Sequence, residues 1–252
     1  MKTLKELSKQ KPAVLGTWIS LTDPSLAEFV KWAGFDFVGL DNEYFPFDHD
    51  MMAQIIRTAN NIEIPIFVRI SRMDDISTLI STGADGIMLP CATFELAQEA
   101  VERIKYAPIG KRSMFGATRA MRVAGLDFKN YHKQANDRTA LIVQIEDKKG
   151  MEDLDKILAL EGVDLISTGR FDISQSLGVP CEGNHPKVVE FENEIISKTL
   201  QTGKKLLLGA STEVDAVELL DRGDISMIIV SRDIALLTNG MQTLVKNLRS
   251  RS

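Results

Sequence analysis

A chain of 252 residues, 44% hydrophobic and 26% charged, has ordinary globular composition and enough apolar material for one sizeable core. Its net charge of −5, with the basic residues dispersed, leaves no electrostatic footprint for nucleic acid or an anionic membrane surface. Cys91 and Cys181 stand in unrelated contexts and imply no disulfide framework or zinc knuckle; the charged start MKTLKELSKQKPAVLG and the lack of any apolar run of transmembrane length give the expectation of a cytoplasmic protein with no membrane partner.

After that helix-like lead-in, the first strand is predicted at AVLGTWIS (13–20). A helix follows in PSLAEFVKWAG, with apolar residues at 26, 29, 30 and 33 and Gly34 as the stop. FDFVGLD (35–41), the helical DMMAQIIRTANN, PIFVRIS (65–71), GIMLP (86–90) and the helical TFELAQEAVERIKY continue the pattern. Then come ALIVQIE (140–146), helical GMEDLDKILALEG, DLISTG (164–169), KLLLGAS (205–211), helical STEVDAVELLDRG and SMIIVSR (226–232). Most of the strand candidates are continuously apolar, as expected of strands covered on both faces. Strand and helix alternating eight times predict an α/β fold, a (β/α)₈ TIM barrel, as a single domain over residues 1–252. The competing doubly wound sheet calls for a glycine-rich phosphate loop, and neither GxGxxG nor GxxxxGK[ST] occurs.

Two segments stand outside that alternation. The connection from Cys91 to the fifth strand is long, and after its helix it continues as PIGKRSMFGATRAMRVAGLDFKNYHKQAND. Long connections in compact domains tend to be functional, so residues 108–139 are expected to wall the active site. The C-terminal IALLTNGMQTLVKNL has an apolar stripe that must be covered, either by its own barrel or by a neighbouring subunit.

In such a barrel the chemistry sits at the C-terminal ends of the strands. Glu146 and Asp172 close or follow apolar runs and lie 26 residues apart, about one strand–helix–strand unit, so both fall on that face. Two carboxylates without Cys or His suit a hard divalent cation; as isolated residues they read equally as a solvated Glu and a helix-capping Asp. Arg69 at the third strand end suits a substrate carboxylate, or else an ion pair with Asp41 or Glu43. Gln144, two residues before Glu146, points the same way. It either contacts the substrate or a metal-bound water, or fills the barrel end.

Several stretches carry a wider resemblance: LGTWISLTDPSLAEFVKWAGFDFVGLDNE, PIFVRI, STGADGIMLP, YAPIGKRS, KQANDRTALIVQIED, GVDLISTGRFDISQSLG and NHPKVVE. In order and over nearly the whole chain, they resemble the HpcH/HpaI aldolases, which are metal-dependent, class II enzymes acting on pyruvate and other 2-oxo acids. The resemblance implies Mg²⁺, Mn²⁺ or Co²⁺ on Glu146 and Asp172. It also implies a 2-oxo acid gripped by Arg69 beside Gln144, with backbone N–H groups near Phe171 and Asp172 on its carboxylate. An aldehyde or second acid would be the other reactant, and the assembly a homo-hexamer. No strand-end Lys is present for a Schiff base, consistent with the metal route.

Three departures from the family pattern bear on mechanism. Asp-Gly-Glu-His is usual after the second strand, and here it reads Asp41-Asn42-Glu43-Tyr44, so the catalytic set becomes Asp41, Glu43, Tyr44 and Arg69. The Asp that usually partners that His corresponds to Ser81. A Pro is usual where Arg170 stands, and Arg170 is a candidate for a second carboxylate. An unperturbed Tyr is a poor base near neutrality; His49 is the nearest imidazole. The leading expectation is a lyase forming or cleaving 4-hydroxy-2-oxo acids. The alternatives are a Claisen-type condensing enzyme, citrate-synthase-like or CoA-linked, with Lys111, Arg112, Arg119 and Arg122 as a basic entrance, and a non-catalytic barrel binding metal and a 2-oxo acid.

Overall fold

The computed structural model describes residues 1–250. A short helix α1 (Leu4–Leu7) precedes β1 (Val14–Ile19), α2 (Leu26–Trp32), β2 (Phe37–Asp41), α3 (His49–Asn61), β3 (Ile66–Arg69), α4 (Asp75–Thr82) and β4 (Gly86–Leu89). Three helices, α5 (Phe94–Ile104), α6 (Arg119–Val123) and α7 (Phe128–Arg138), separate β4 from β5 (Ala140–Ile145). The chain continues through α8 (Lys148–Ala159), β6 (Leu165–Thr168), α9 (Arg170–Ser176), α10 (Pro186–Gln201), β7 (Lys205–Ala210), α11 (Glu213–Arg222), β8 (Met227–Arg232) and α12 (Asp233–Arg249). All eight strands are parallel and β8 pairs back onto β1, closing the (β/α)₈ barrel. Each of the eight predicted strands is present. No helix among the described residues is long and apolar enough to cross a membrane.

Alternation along each strand divides the core in two. Phe37, Phe67, Met88, Ala140, Ile142, Leu165, Leu207, Met227 and Ile229 fill the barrel interior, and Leu4 and Leu7 of α1 close its lower end. The opposite residues, such as Val38, Val68, Ile87, Val143, Ile166 and Leu208, pack under the helices. The interior is crowded enough to dictate glycine at two strand positions: a Cβ on Gly16 would collide with the Phe37 ring, and one on Gly39 with Trp18 and Ile229. At the lower rim one device recurs three times. Asp36, Asp85 and Asp164, each preceded by Gly-x, accept the N–H of Leu15, Ile66 and Leu141 on the preceding strand. Each also donates its own N–H to that same residue's carbonyl. This clamp sets the register of β2 on β1, β4 on β3 and β6 on β5.

The long connection is not where the sequence placed it. It leaves the C-terminal end of α5 and enters the N-terminal end of β5, so both of its ends lie on the barrel's lower rim. Its contacts agree. Arg119 bonds Asn60 and the Thr82 carbonyl, α7 packs on α1, and Tyr106, Ala120, Met121, Tyr131 and Ala135 form their own small core. Residues 108–139 therefore do not wall the mouth of this barrel. Lys111 pairs with Glu102 and Arg112 lies over the Tyr106 ring, so the proposed basic entrance is also on the wrong face. The physical reason is connectivity: only segments that follow a strand reach the upper rim, and this one follows a helix. The same rule puts Ser81, in the last turn of α4, at the opposite end of the barrel from Tyr44.

Candidate active site

The upper rim gathers most of the acidic and basic residues picked out from the sequence. Asp41, fully buried, ends β2 pointing inward, and Arg69 ends the neighbouring β3 directly opposite it in register. The two form a bidentate pair: Arg69 Nε donates to Asp41 Oδ1 at 3.0 Å and Nη2 to Oδ2 at 2.7 Å. Glu43 Oε2 lies 3.2 Å from Arg69 Nε without a hydrogen bond. Two rings sandwich the guanidinium, with Trp18 at 4.8 Å and Tyr44 at 5.0 Å from Arg69 Cζ. Both readings of Arg69 thus have a structural basis. One edge of its fork is held by Asp41, and the remaining N–H groups face the cleft.

That arrangement gives a first expected result. Arg69→Lys keeps the charge but cannot bridge both Asp41 oxygens or lie flat between the rings, so lyase turnover should fall about a hundredfold, or about 3 kcal/mol. Arg69→Met, which leaves a fully buried carboxylate unpaired, should lower unfolding free energy by about 3–5 kcal/mol. Steady-state kinetics and denaturant titration read the two effects separately.

The second half of the site comes from β5 and β6. Glu146 follows β5 and is buried. Its Oε1 accepts the Cys91 backbone N–H at 2.7 Å and the Cys91 thiol at 3.2 Å, and its Oε2 accepts from Gln144 Nε2. Burial pushes the Glu146 carboxyl up to about 7 despite the Cys91 donors, and the charges of Asp172 and Glu43 add to the shift. Cys91 is itself pushed up to about 12, by burial and then by Glu146, and so stays a protonated donor. Gly169, the N-cap of α9, presses against this carboxylate: a Cβ there would collide with Glu146 Oε2 and Gln144 Nε2. Asp172 lies in the first turn of α9 with Phe171, whose ring is exposed.

The donor set fits a hard cation. The Asp172 charge adds to the burial that disfavours ionisation of Glu146 and Glu43, a cost that a positive ion among them would offset. Gln144 Oε1 is buried with no hydrogen-bond donor on it. Among the described residues no group of three or more His, Cys, Asp or Glu could hold an ion. The protein's share of a coordination shell would therefore be two carboxylates, as suits Mg²⁺ or a similar ion that completes its shell with water and substrate oxygens.

Other candidates are placed differently. Tyr44 is 62% exposed, and partial desolvation, then the charges of Glu43 and Asp172, push the phenol up to about 12. His49 Nε2 lies 3.0 Å from Asp75 Oδ1, joining the starts of α3 and α4 on the rim. It does not line the cleft. Arg170 does line it, but its Nε and Nη2 both bind Glu192 Oε2 at 2.7 Å, and its Nη1 binds Asn184. Glu192 is fixed in turn by Thr168. Arg170 is thus the anchor between α9 and α10, and its role as a free carboxylate receptor is not supported. Sequence reading passed over Cys91 and Gly169. The Cys91 φ of 44°, which aims its N–H at Glu146, leaves no trace in a residue string.

A cleft of about 1180 Å³ opens over this rim, lined by Trp18, Tyr44, Arg69, Gln144, Asp172 and the ends of β7 and β8. The sequence profile of the HpcH/HpaI aldolase/citrate lyase family matches residues 15–236. The chain belongs to this family. It is accordingly a carbon–carbon lyase. The hydroxypyruvate/pyruvate aldolase of Roseobacter denitrificans is 31% identical over 243 residues, 95% of this chain and 94% of that one. The 2-keto-3-deoxy-L-rhamnonate aldolase of Salmonella typhi is 32% identical over 204 residues, 79% of this chain and 76% of that protein. Among solved structures, an HpcH/HpaI aldolase from Desulfitobacterium hafniense superposes with a TM-score of 0.90 at 26% identity, covering 99% and 97% of the two chains. The citrate synthase SbnG superposes at 0.87 with 26% identity, covering 98% of each. The chain therefore shares the barrel of these solved structures.

Proposed function

We propose that this lyase forms and cleaves 4-hydroxy-2-oxo acids through a pyruvate-type enolate, with a divalent cation, Mg²⁺, Mn²⁺ or Co²⁺, held by Glu146 and Asp172. The observation that carries the reading is the convergence of the buried Glu146, the half-buried Asp172 and Glu43, and the cleft-facing side of Arg69 on one rim. Such a cation, when bound, supplies Lewis acidity toward the oxygens of a 2-oxo acid. The chain's own residues do the rest. Arg69 donates to the acid from its free N–H groups, and Gln144 turns its unpartnered oxygen toward the same ligand. The first-turn N–H groups at Phe171 and Asp172 face its carboxylate, as helix starts do for anions.

The proton needs a base, and elimination favours Glu43. Asp41 is held at both oxygens by Arg69, Glu146 is committed to Cys91 and Gln144, and the Tyr44 phenol stays protonated near neutrality. Glu43 has no donor on its carboxylate oxygen Oε2, and burial raises it above the usual carboxylate range. Tyr44, at the position where the family pattern noted above usually has His, acts as a ring over Arg69 and as a hydroxyl donor at the mouth.

Exchange of the pyruvate methyl protons in deuterated water tests this without requiring the right aldehyde. Exchange should depend on added Mg²⁺, Mn²⁺ or Co²⁺, stop with a chelator and return on re-addition. Metal-independent exchange, or none with any of the three ions, would overturn the reading. A second reading draws on the likeness to a citrate synthase: condensation of an enolate with a second oxo acid. Citrate formed from oxaloacetate and acetyl-CoA, in place of pyruvate exchange, would favour it.

The assembly proposed is a homo-hexamer. α12 leaves Leu236, Leu237, Met241, Leu244, Val245 and Leu248 exposed, so its own barrel does not cover the stripe, and a second copy of the chain would. Light scattering at micromolar concentration should return about six times the 28.0 kDa chain mass. Replacing Met241 and Leu244 with Glu should shift the mass downward. A monomeric wild type would reject the proposal.

A further inference from the structure

A second cavity, of about 400 Å³, opens between α3, α4 and α6 and shares no residue with the cleft. Its wall is polar throughout. Arg57 comes from α3, Ser77, Thr78, Ser81 and Thr82 from α4, and Arg119 from the first position of α6. Every one of these side chains can donate a hydrogen bond, and no carboxylate lines the cavity. The acids at the start of α4 are engaged elsewhere, Asp74 with Arg103 and Asp75 with His49.

Helix α4 builds this wall by its periodicity. Ile76, Leu79 and Ile80 turn inward and are buried, so residues 77, 78, 81 and 82 lie together on the outer side. A solvated helix face usually carries Lys and Glu, which are better helix formers than Ser or Thr. Here it carries four hydroxyls, and among the described residues only that of Thr82 is used locally, donating to the Thr78 carbonyl at 2.9 Å. Arg119 is fixed from one side. Its Nη1 donates to Asn60 Oδ1 and to the Thr82 carbonyl, while its other nitrogens make no hydrogen bond among the described residues. Gly83, left-handed at φ 117°, gives it room, since a Cβ there would lie 3.1 Å from that Nη1. Arg57, one turn before Asn60 on α3, makes neither hydrogen bond nor ion pair among the described residues. Burial and then the Arg57 charge hold Arg119 below the usual guanidinium range, a repulsion that an anion between them would relieve.

We propose that this cavity is a binding site for a phosphate dianion, either the free ion or the monoester of a small metabolite. Guanidinium and hydroxyl donors arriving from three helices suit a tetrahedral oxyanion, which accepts hydrogen bonds from several directions. A planar carboxylate is satisfied by the fork of a single arginine. Two cations and no acid favour a doubly charged ligand, and phosphate is close to that charge near neutrality. The bound anion joins the first residue of α6 to α3 and α4, and so ties the long connection between β4 and β5 to the outside of the barrel. The site is separate from the lyase chemistry and does not depend on which 2-oxo acid the cleft takes.

Calorimetric titration of the full-length chain with inorganic phosphate, in chloride buffer at fixed ionic strength, tests the site. Binding should appear at or below about 1 mM, with the same affinity in the presence and absence of Mg²⁺, and sulfate should compete. Arg57→Gln should weaken it by about tenfold or more, the scale of one charge-assisted hydrogen bond, and Arg57→Lys by less. Ser81→Asp supplies a carboxylate beside the two arginines and should abolish binding. Saturating phosphate should raise the Tm of wild type and leave that of Ser81→Asp unchanged. Lyase turnover in Arg57→Gln should match wild type. Glycerol 3-phosphate separates the two sources: tighter binding than phosphate points to a monoester, equal or weaker binding to the free ion. No phosphate binding by wild type overturns the proposal. So does binding that requires Mg²⁺, or that Arg57→Gln and Ser81→Asp both retain in full, because the anion then sits elsewhere.

Discussion

Glu146→Gln should leave a folded barrel that has lost metal-dependent turnover by about three orders of magnitude, or about 4 kcal/mol of transition-state stabilisation. The side chain lies at the mouth and not in the apolar interior, and glutamine keeps its shape beside Gly169, where there is no room for anything larger. The substitution removes a charge that burial already disfavours, so without metal the variant should be at least as stable as wild type at neutral pH. Calorimetric titration with Mg²⁺ or Mn²⁺ and thermal unfolding with and without the ion check both statements. Asp172→Asn should behave alike in metal affinity. Unchanged affinity in both variants would remove these two carboxylates from the metal site.

Glu43→Gln is expected to abolish most of the pyruvate proton exchange, by about 10²–10⁴-fold, the range for loss of a positioned general base. Its metal affinity should change far less than that of Glu146→Gln, since Glu43 is not assigned to the ion. The pH dependence has a definite sign. Burial favours the neutral carboxyl of Glu43 and raises its pKa, so the active, ionised form grows as pH rises through that raised value. The rate should climb on the acid side of the profile, and the variant's residual rate should lack that limb. Tyr44→Phe is the control. It keeps the ring over Arg69 and loses only the hydroxyl, so exchange should stay within about an order of magnitude of wild type. If Tyr44→Phe loses exchange as fully as Glu43→Gln, the phenol and not the carboxylate moves the proton.

The two substitutions test different links of one chain of causes. Glu146 depends on what sequence periodicity reveals: a strand end facing the mouth, with Gln144 two residues earlier on the same side. Glu43 depends on a neighbourhood. Its chemistry is decided by Arg69 arriving from the next strand, by Asp41 taking both bonds of that arginine's fork, and by Asp172 from four strands further on. No local pattern records those arrivals.

Much of the molecule was nonetheless legible from its residues. Eight apolar runs, β-branched and evenly spaced between amphipathic helices, determined the closed parallel barrel, because burial on both faces and a right-handed crossover leave few other solutions. The same alternation put Asp41, Arg69, Gln144 and Glu146 on one rim, since residues two apart on a strand share a face. Tertiary structure alone decided the rest. It sent residues 108–139 to the lower rim, where any segment between a helix end and a strand start must lie. It tied Arg170 to Glu192 across two helices far apart in the chain, and it left the stripe of α12 uncovered. It also turned Arg232 into the cleft through one extra residue in β8: Gly16 of β1 pairs with Ile229 but Trp18 with Arg232, and Ser231 takes up the difference at a left-handed φ of 56°. Periodicity fixes which way a side chain points only while the strand stays regular; a bulge, a left-handed Ser231 and a partner from a distant strand are settled by packing and backbone geometry, which the order of residues does not display.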